Sequence, residues 1–240
     1  MEDYRYYGGM NDSMTYSGII FDFNGTLFQD TPMHELVWRE YSARLRGHPL
    51  SAEEFVQMHG RPNLYYLEYL LNRPVSDEEA EYYGEEKEKI YRQMCRDLGP
   101  DIHLTPGAED LLDFLAAEGI PRTIATASSR PNVDFYFEVF HLDRWFEFDR
   151  VVYHDGSFPG KPDPEIYIRA AKKLRLPARE CIVVEDAKSG IEAAYNAGIG
   201  CIEAIGPKEA HGVLKSYKGV AHTITDFTEF DRELLNVIHF

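Results

Sequence analysis

Short, continuously apolar runs alternate with longer segments in which apolar residues recur every three to four positions. After about residue 105 this alternation is regular. AEDLLDFLAAEG (108–119) precedes RTIATA (122–127), and a helical segment beginning near Asn132 precedes VVY (151–153). EIYIRAAKKL (165–174) precedes CIVVE (181–185), and GIEAAYNAG (190–198) precedes CIEAI (201–205). Helices alternating with strands that are apolar throughout predict a parallel sheet covered on both faces. One earlier run, IIFDF (19–23), predicts a further strand of the same kind.

Between that strand and residue 105 the pattern is helical. Thr31-Pro32 reads as an N-cap followed by Pro at the first helical position, and Met33, Val37, Tyr41 and Leu45 fall on one stripe. Ser51 with Glu54, and Ser76 with Glu79, have the capping-box spacing. Residues 33–104 therefore predict a helical insertion, acidic and rich in tyrosine. The expected organisation is an α/β Rossmann-like core (17–32 and 105–240), a helical cap (33–104), and an N-terminal extension (1–16) without periodicity, on the surface or disordered.

Composition narrows the function classes. The 240 residues carry a formal charge of −16, which repels the phosphate backbone of nucleic acid. No polybasic run suits an anionic membrane, and no apolar run is long enough to span one. Cys95, Cys181 and Cys201 are odd in number and far apart, so neither a disulfide framework nor a zinc site is expected. With no signal-peptide pattern at the start, the expectation is a cytoplasmic protein, with a monomer favoured. A small phosphorylated metabolite fits this chain only where a cation offsets its charge.

The stretch GIIFDFNGTLF (18–28) admits two readings. Asn-Gly between apolar runs is a hairpin signal, which makes Asp22 a polar residue near a turn. Alternatively, a buried strand delivers Asp22 to the carboxyl edge of the sheet, where ligands of such folds bind. Other polar residues follow the core strands: Thr126 in ATASSR, Lys161 in GKPDPE, Glu185 and Asp186 in VVEDAKSG. Together they offer a nucleophilic carboxylate, a hydroxyl, one cation and a second acidic cluster. That is the equipment of phosphoryl transfer. Asp22 would attack phosphorus, Thr126 and Lys161 would hold the oxygens, and Mg²⁺ would bridge Asp22 and Asp186 to the phosphate.

These segments resemble the four motifs of the haloacid dehalogenase superfamily, in order: DFNGTLF at Asp22, ATASSR at Thr126, GKPDPEIY at Lys161 and VVEDAKSGIEAA at Glu185 and Asp186. The helical insertion is similar to the cap of the β-phosphoglucomutase-like branch, with His34 twelve positions after Asp22 and Trp38 four further on. The resemblance implies a Mg²⁺-dependent phosphatase or phosphotransferase. It implies metal ligation by Asp22, the Asn24 carbonyl, Asp186 and Glu185. It also implies phosphate or substrate binding by Gly25, Thr126, Ala127, Ser128, Lys161, His34 and Arg61, although Arg61 is out of register with the family's cap arginine. Trp38 is expected in the cap core, and the run DEEAEYYGEEKEK (77–89) as a solvated helix face.

Asn24 departs from the pattern. The family has a second Asp there, whose carbonyl ligates the metal and whose carboxyl protonates the leaving oxygen. Asn24 keeps the carbonyl and loses the proton, an effect worth about 10²–10⁴-fold in rate on alkyl phosphates. Three readings follow: an enzyme slow on ordinary esters, with His34 or another group supplying the proton; a hydrolase of substrates with good leaving groups, such as phosphonates; or a non-catalytic sensor of a phosphometabolite. The phosphonate branch needs a cap lysine, and Lys87 and Lys89 are the only two here, both expected in the charged face. Asn24-Gly25 is also a deamidation-prone dipeptide.

Overall fold

A computed structural model of the chain describes residues 15–236. Its centre is a sheet of parallel strands in the order β3-β2-β1-β4-β5-β6. The strands are β1 (Gly18–Phe21), β2 (Arg122–Thr126), β3 (Val152–Tyr153), β4 (Cys181–Glu185), β5 (Cys201–Ile205) and β6 (Val220–Ile224). The core strands are apolar at every position because both faces are covered. Ile19 and Phe21 point into one apolar cluster, with Ile182 and Val184 from β4. Ile20 points into the other, with Cys181 and Val183.

Helices α5 (Ala108–Ala117) and α6 (Arg130–Phe140) supply the first cluster, and α7 (Glu165–Leu174) and α8 (Lys188–Asn196) the second. Each fully buried aliphatic side chain contributes about 1.5–3 kcal/mol, so strands of this kind pay for their own ordering. The short helix α9 (His211–Leu214) precedes β6. Strand β6, with exposed Ala221 and His222, continues the sheet beyond the elements that the apolar pattern revealed.

Residues 31–97 form four helices and no strand: α1 (Thr31–Arg46), α2 (Ala52–Met58), α3 (Asn63–Leu71) and α4 (Asp77–Asp97). Both expected capping boxes are present, at Ser51/Glu54 and Ser76/Glu79. A separate apolar cluster gathers Trp38, Tyr41, Phe55, Met58, Tyr66 and Leu67, with Trp38 stacked on Tyr66 at 4.3 Å between ring centroids. Three expectations need correction here. Helix α1 starts at Thr31, after Asp30, and the Asp30 side chain turns inward instead of capping it. Lys87 and Glu88 are buried, so the charged run is not solvated throughout: Lys87 shares one face of α4 with Tyr91 and Cys95. Most of the N-terminal extension lies outside the described residues, but Tyr16 is core. It bridges to Leu235, and its hydroxyl donates to the Gly200 carbonyl at 3.1 Å.

Candidate active site

The strand order reverses direction between β1 and β4, with β2 and β3 on one side and β5 and β6 on the other. Phe21 pairs with Val184, so Asp22 and Glu185 leave the sheet side by side. A crevice opens outside the carboxyl ends of strands at such a point, and ligands of doubly wound sheets bind there. The chain then turns tightly: Asn24 bridges to Phe28, and Gly25 takes φ +76°, a conformation that favours glycine. A Cβ on Gly25 would lie 2.0 Å from Asp186 Oδ2, so the glycine also admits that carboxylate. The opening stretch is therefore a strand end followed by a turn and not an antiparallel hairpin, since the Asn24–Phe28 bridge is parallel and α1 comes next.

Lys161 joins the two acidic strand ends. Its Nζ donates to Asp22 Oδ1 at 2.5 Å and also to Glu185 Oε1. The Tyr167 hydroxyl donates to Glu185 Oε1 at 2.7 Å and the Ala187 amide to Oε2 at 3.0 Å, so both Glu185 oxygens are engaged. Burial would depress the Lys161 ammonium, but Asp22 and Glu185 outweigh it and raise its pKa. Burial, reinforced by neighbouring carboxylates, pushes Asp22 and Asp186 well above the usual carboxylate range, with Lys161 opposing. The cluster is short of positive charge.

Asp22, Glu185 and Asp186 each offer an oxygen within 4.8 Å of the others, among the described residues. An all-oxygen donor set with excess negative charge fits a hard divalent cation such as Mg²⁺. His59 approaches Asp186, Nε2 to Oδ2 at 3.5 Å, and burial lowers its pKa toward the neutral form.

A cavity of about 70 Å³ lies between this edge and the helical region above it. Asp22, Asn24, Thr126, Ala127, Ser128 and Glu185 line it from the sheet side, and His34 and Arg61 from the helical side. Gly25 and Asp186 face an adjoining cavity of about 490 Å³, which His59 also borders. Lys161 reaches the site through Asp22. Thr126 Oγ1 accepts from the Ser128 amide at 3.1 Å. Arg61 stacks over Tyr65 at 4.1 Å and its buried Nε has no partner. Trp38 is both packed in the helical cluster and exposed to the cavity.

Glu88 and Asn132 of this site gave no sequence signal, and Lys87 was expected in the charged face. Lys87 lines the cavity, with Nζ 2.9 Å from Glu88 Oε1 and 3.0 Å from His34 Nδ1. Burial would raise Glu88, but Lys87 and the Asn132 and Asn63 amides hold its carboxyl down at about 2. Asn132, on α6, donates to Glu88 Oε2 at 2.7 Å and accepts from Arg92 Nη1 at 2.6 Å, joining α4 to the sheet-covering layer. Asn24 Nδ2 donates to Asp30 Oδ2 at 2.6 Å and to the Tyr136 hydroxyl at 2.8 Å, and Ser128 Oγ donates to Asn24 Oδ1 at 2.8 Å. The Gly25 amide, whose nitrogen would attack Asn24 in deamidation, donates to the Phe28 carbonyl at 2.7 Å. That geometry opposes the reaction in the folded chain.

A model of the haloacid dehalogenase-like hydrolases matches residues 16–198. Hexitol phosphatase A of Escherichia coli is 30% identical over 216 residues, covering 90% of this chain and 94% of that protein. The crystal structure of an HAD hydrolase, family IA, variant 3, from Entamoeba histolytica superposes with a TM-score of 0.81 at 42% identity, covering 91% of this chain and 96% of that one. The β-phosphoglucomutase of Clostridium difficile shares the fold, with a TM-score of 0.72 at 22% identity over 91% and 95% of the two chains.

Proposed function

Given that the chain belongs to the haloacid dehalogenase-like hydrolase family, we propose that it is a Mg²⁺-dependent phosphatase or phosphotransferase acting on a small phosphorylated sugar or sugar alcohol, through an aspartyl phosphate on Asp22. The observation that carries this reading is the Asp22–Lys161–Glu185 group beside Asp186 at the strand reversal. The hexitol phosphatase relative favours a sugar-like substrate.

Lys161 holds one carboxylate oxygen of Asp22 and so sets the direction of attack. As the Asp22–phosphorus bond forms, the bond to the leaving oxygen breaks, and Thr126, Ser128 and Lys161 stabilise the phosphoryl oxygens. Asp22, the Asn24 carbonyl and Asp186 would hold Mg²⁺, with Glu185 committed to Lys161 and Tyr167. When bound, the ion supplies positive charge that lowers the pKa of both carboxylates and offsets the phosphate. His34 and Arg61 meet the part of the substrate beyond the phosphate. Asn24 has no carboxyl proton to transfer to the leaving oxygen, so alkyl phosphates turn over slowly.

The test is phosphate release from a panel of hexose and hexitol phosphates with Mg²⁺, for the wild-type chain and Asp22→Asn. Loss of release in the variant is expected. A variant that keeps the wild-type rate would remove Asp22 from the mechanism.

A further inference from the structure

Asp30 is fully buried, and among the described residues no lysine or arginine pairs with it. Its carboxylate collects donors instead: the Gly25 amide on Oδ1 at 2.9 Å, Asn24 Nδ2 on Oδ2 at 2.6 Å, and the Tyr91 hydroxyl. His34 Nε2 lies 3.3 Å from Oδ2, off the line of a good hydrogen bond. Asn24 in turn donates both amide protons, to Asp30 and Tyr136, and takes the Ser128 hydroxyl on Oδ1.

We propose that Asp30 is the positioning residue for Asn24, and that the two side chains form one donor–acceptor unit whose polarity can be reversed. A buried carboxylate only accepts, so it demands a donor at position 24 and fixes the carboxamide in one orientation. Through Asn24 Oδ1 that orientation also holds Ser128 Oγ, on the cavity that Asp22 lines. Asparagine at position 24 is then the complement of Asp30, not merely a lost carboxylate. This step from geometry to turnover rests on the function proposed above; the pairing itself does not.

The surrounding groups make the reversal testable. Asn24→Asp sets two acceptors 2.6 Å apart with nothing between them to donate. Asp30→Asn leaves two carboxamides and gives Asn24 a poorer acceptor. In the double variant, the carboxamide at position 30 donates to the carboxylate at position 24 and still accepts from the Gly25 amide. The Tyr91, Tyr136 and Ser128 hydroxyls turn to suit, because a hydroxyl both donates and accepts.

The experiment is a double-mutant cycle read by thermal melting and by the pre-steady-state rate of p-nitrophenolate release from p-nitrophenyl phosphate with Mg²⁺, a step that needs neither proton nor base from position 24. Each single variant should melt lower, Asn24→Asp by about 10 °C, as expected for a buried carboxylate left without a donor. Each should also lose at least about tenfold in that rate, with half-saturation within about twofold, because the reacting groups are misplaced. The double variant should melt within about 3 °C of wild type and recover the rate to within about threefold. Should Asn24→Asp fail to fold, folding of the double variant carries the pairing. Melting losses that add in the double variant overturn it. Single variants that melt low yet keep the wild-type pre-steady-state rate of p-nitrophenolate release overturn the positioning role. If the wild-type chain does not hydrolyse the ester, the phosphatase reading fails and the melting cycle still decides the pairing.

Discussion

Replacing Glu203 by glutamine removes an ionisable group from the interior of β5. Glu203 is 2% exposed and its Oε2 has no hydrogen-bond partner. Burial, with a smaller contribution from Asp231, pushes its carboxyl from 4.5 up to about 7. Below pH 4.5 both the folded and unfolded chains hold this proton, and it contributes nothing to the pH dependence. Between pH 4.5 and 7 the unfolded chain releases the proton and the folded chain keeps it, so stability falls as pH rises. Above pH 7 the full cost of burying the charge is present. The shift of about 2.5 pH units corresponds to roughly 3 kcal/mol. A buried glutamine still leaves one polar group short of a partner, which costs about 1–2 kcal/mol. Glu203→Gln should therefore gain about 1–2 kcal/mol at pH 8, a rise of roughly 5 °C in melting temperature, and lose about 1–2 kcal/mol at pH 4.5, where only the unpaired polar group counts. Denaturant melts of both proteins from pH 4.5 to 8 measure the difference directly. If the two stability curves run parallel across that range, Glu203 is not a buried group that resists ionisation.

Three further outcomes follow from the site. Lys161→Ala should cost at least about 10²-fold in kcat/KM, and Lys161→Arg should not restore it, because the planar fork cannot take the place of one ammonium between Asp22 and Glu185; steady-state kinetics of both variants decide it. Asp186→Ala should abolish Mg²⁺ dependence and nearly all turnover, and isothermal titration should show weakened Mg²⁺ binding; full activity in that variant or in excess EDTA would refute the metal assignment. Asn132→Ala strands Glu88 and Arg92 across the gap between α4 and α6, so amide exchange in α4 should rise at least about tenfold and KM should increase, as measured by hydrogen–deuterium exchange and kinetics.

The sheet was legible because its strands are buried on both faces and so read as unbroken apolar runs. Cys181–Glu185 and Cys201–Ile205 coincide with the expected strands. The placement of Asp22, Thr126 and Asp186 at the carboxyl edge was legible for the same reason, since each ends or follows such a run, whereas Lys161 lies well past β3 and was singled out by its motif. Asp30 was not: next to Thr31-Pro32 it reads as a helix entry, and only the fold turns its side chain toward Asn24. Lys87 and Glu88 were masked by the acidic run around them. Their burial depends on Trp38, His34 and Asn132, which the topology brings from 44 to 53 positions away. Strand β6 carries too few apolar residues to announce itself, as befits a sheet edge.

Burst kinetics with p-nitrophenyl phosphate and Mg²⁺ test the central claim, nucleophilic attack by Asp22, most directly. Aryl release needs no proton, whereas hydrolysis of the aspartyl phosphate lacks a base at Asn24, so the intermediate should accumulate. The account predicts a burst of about one p-nitrophenolate per chain. Acid-quenched protein should carry one phosphoryl group on the peptide containing Asp22, and Asp22→Asn should show neither burst nor modification. Steady phosphate release with no burst and an unmodified Asp22 peptide would contradict it.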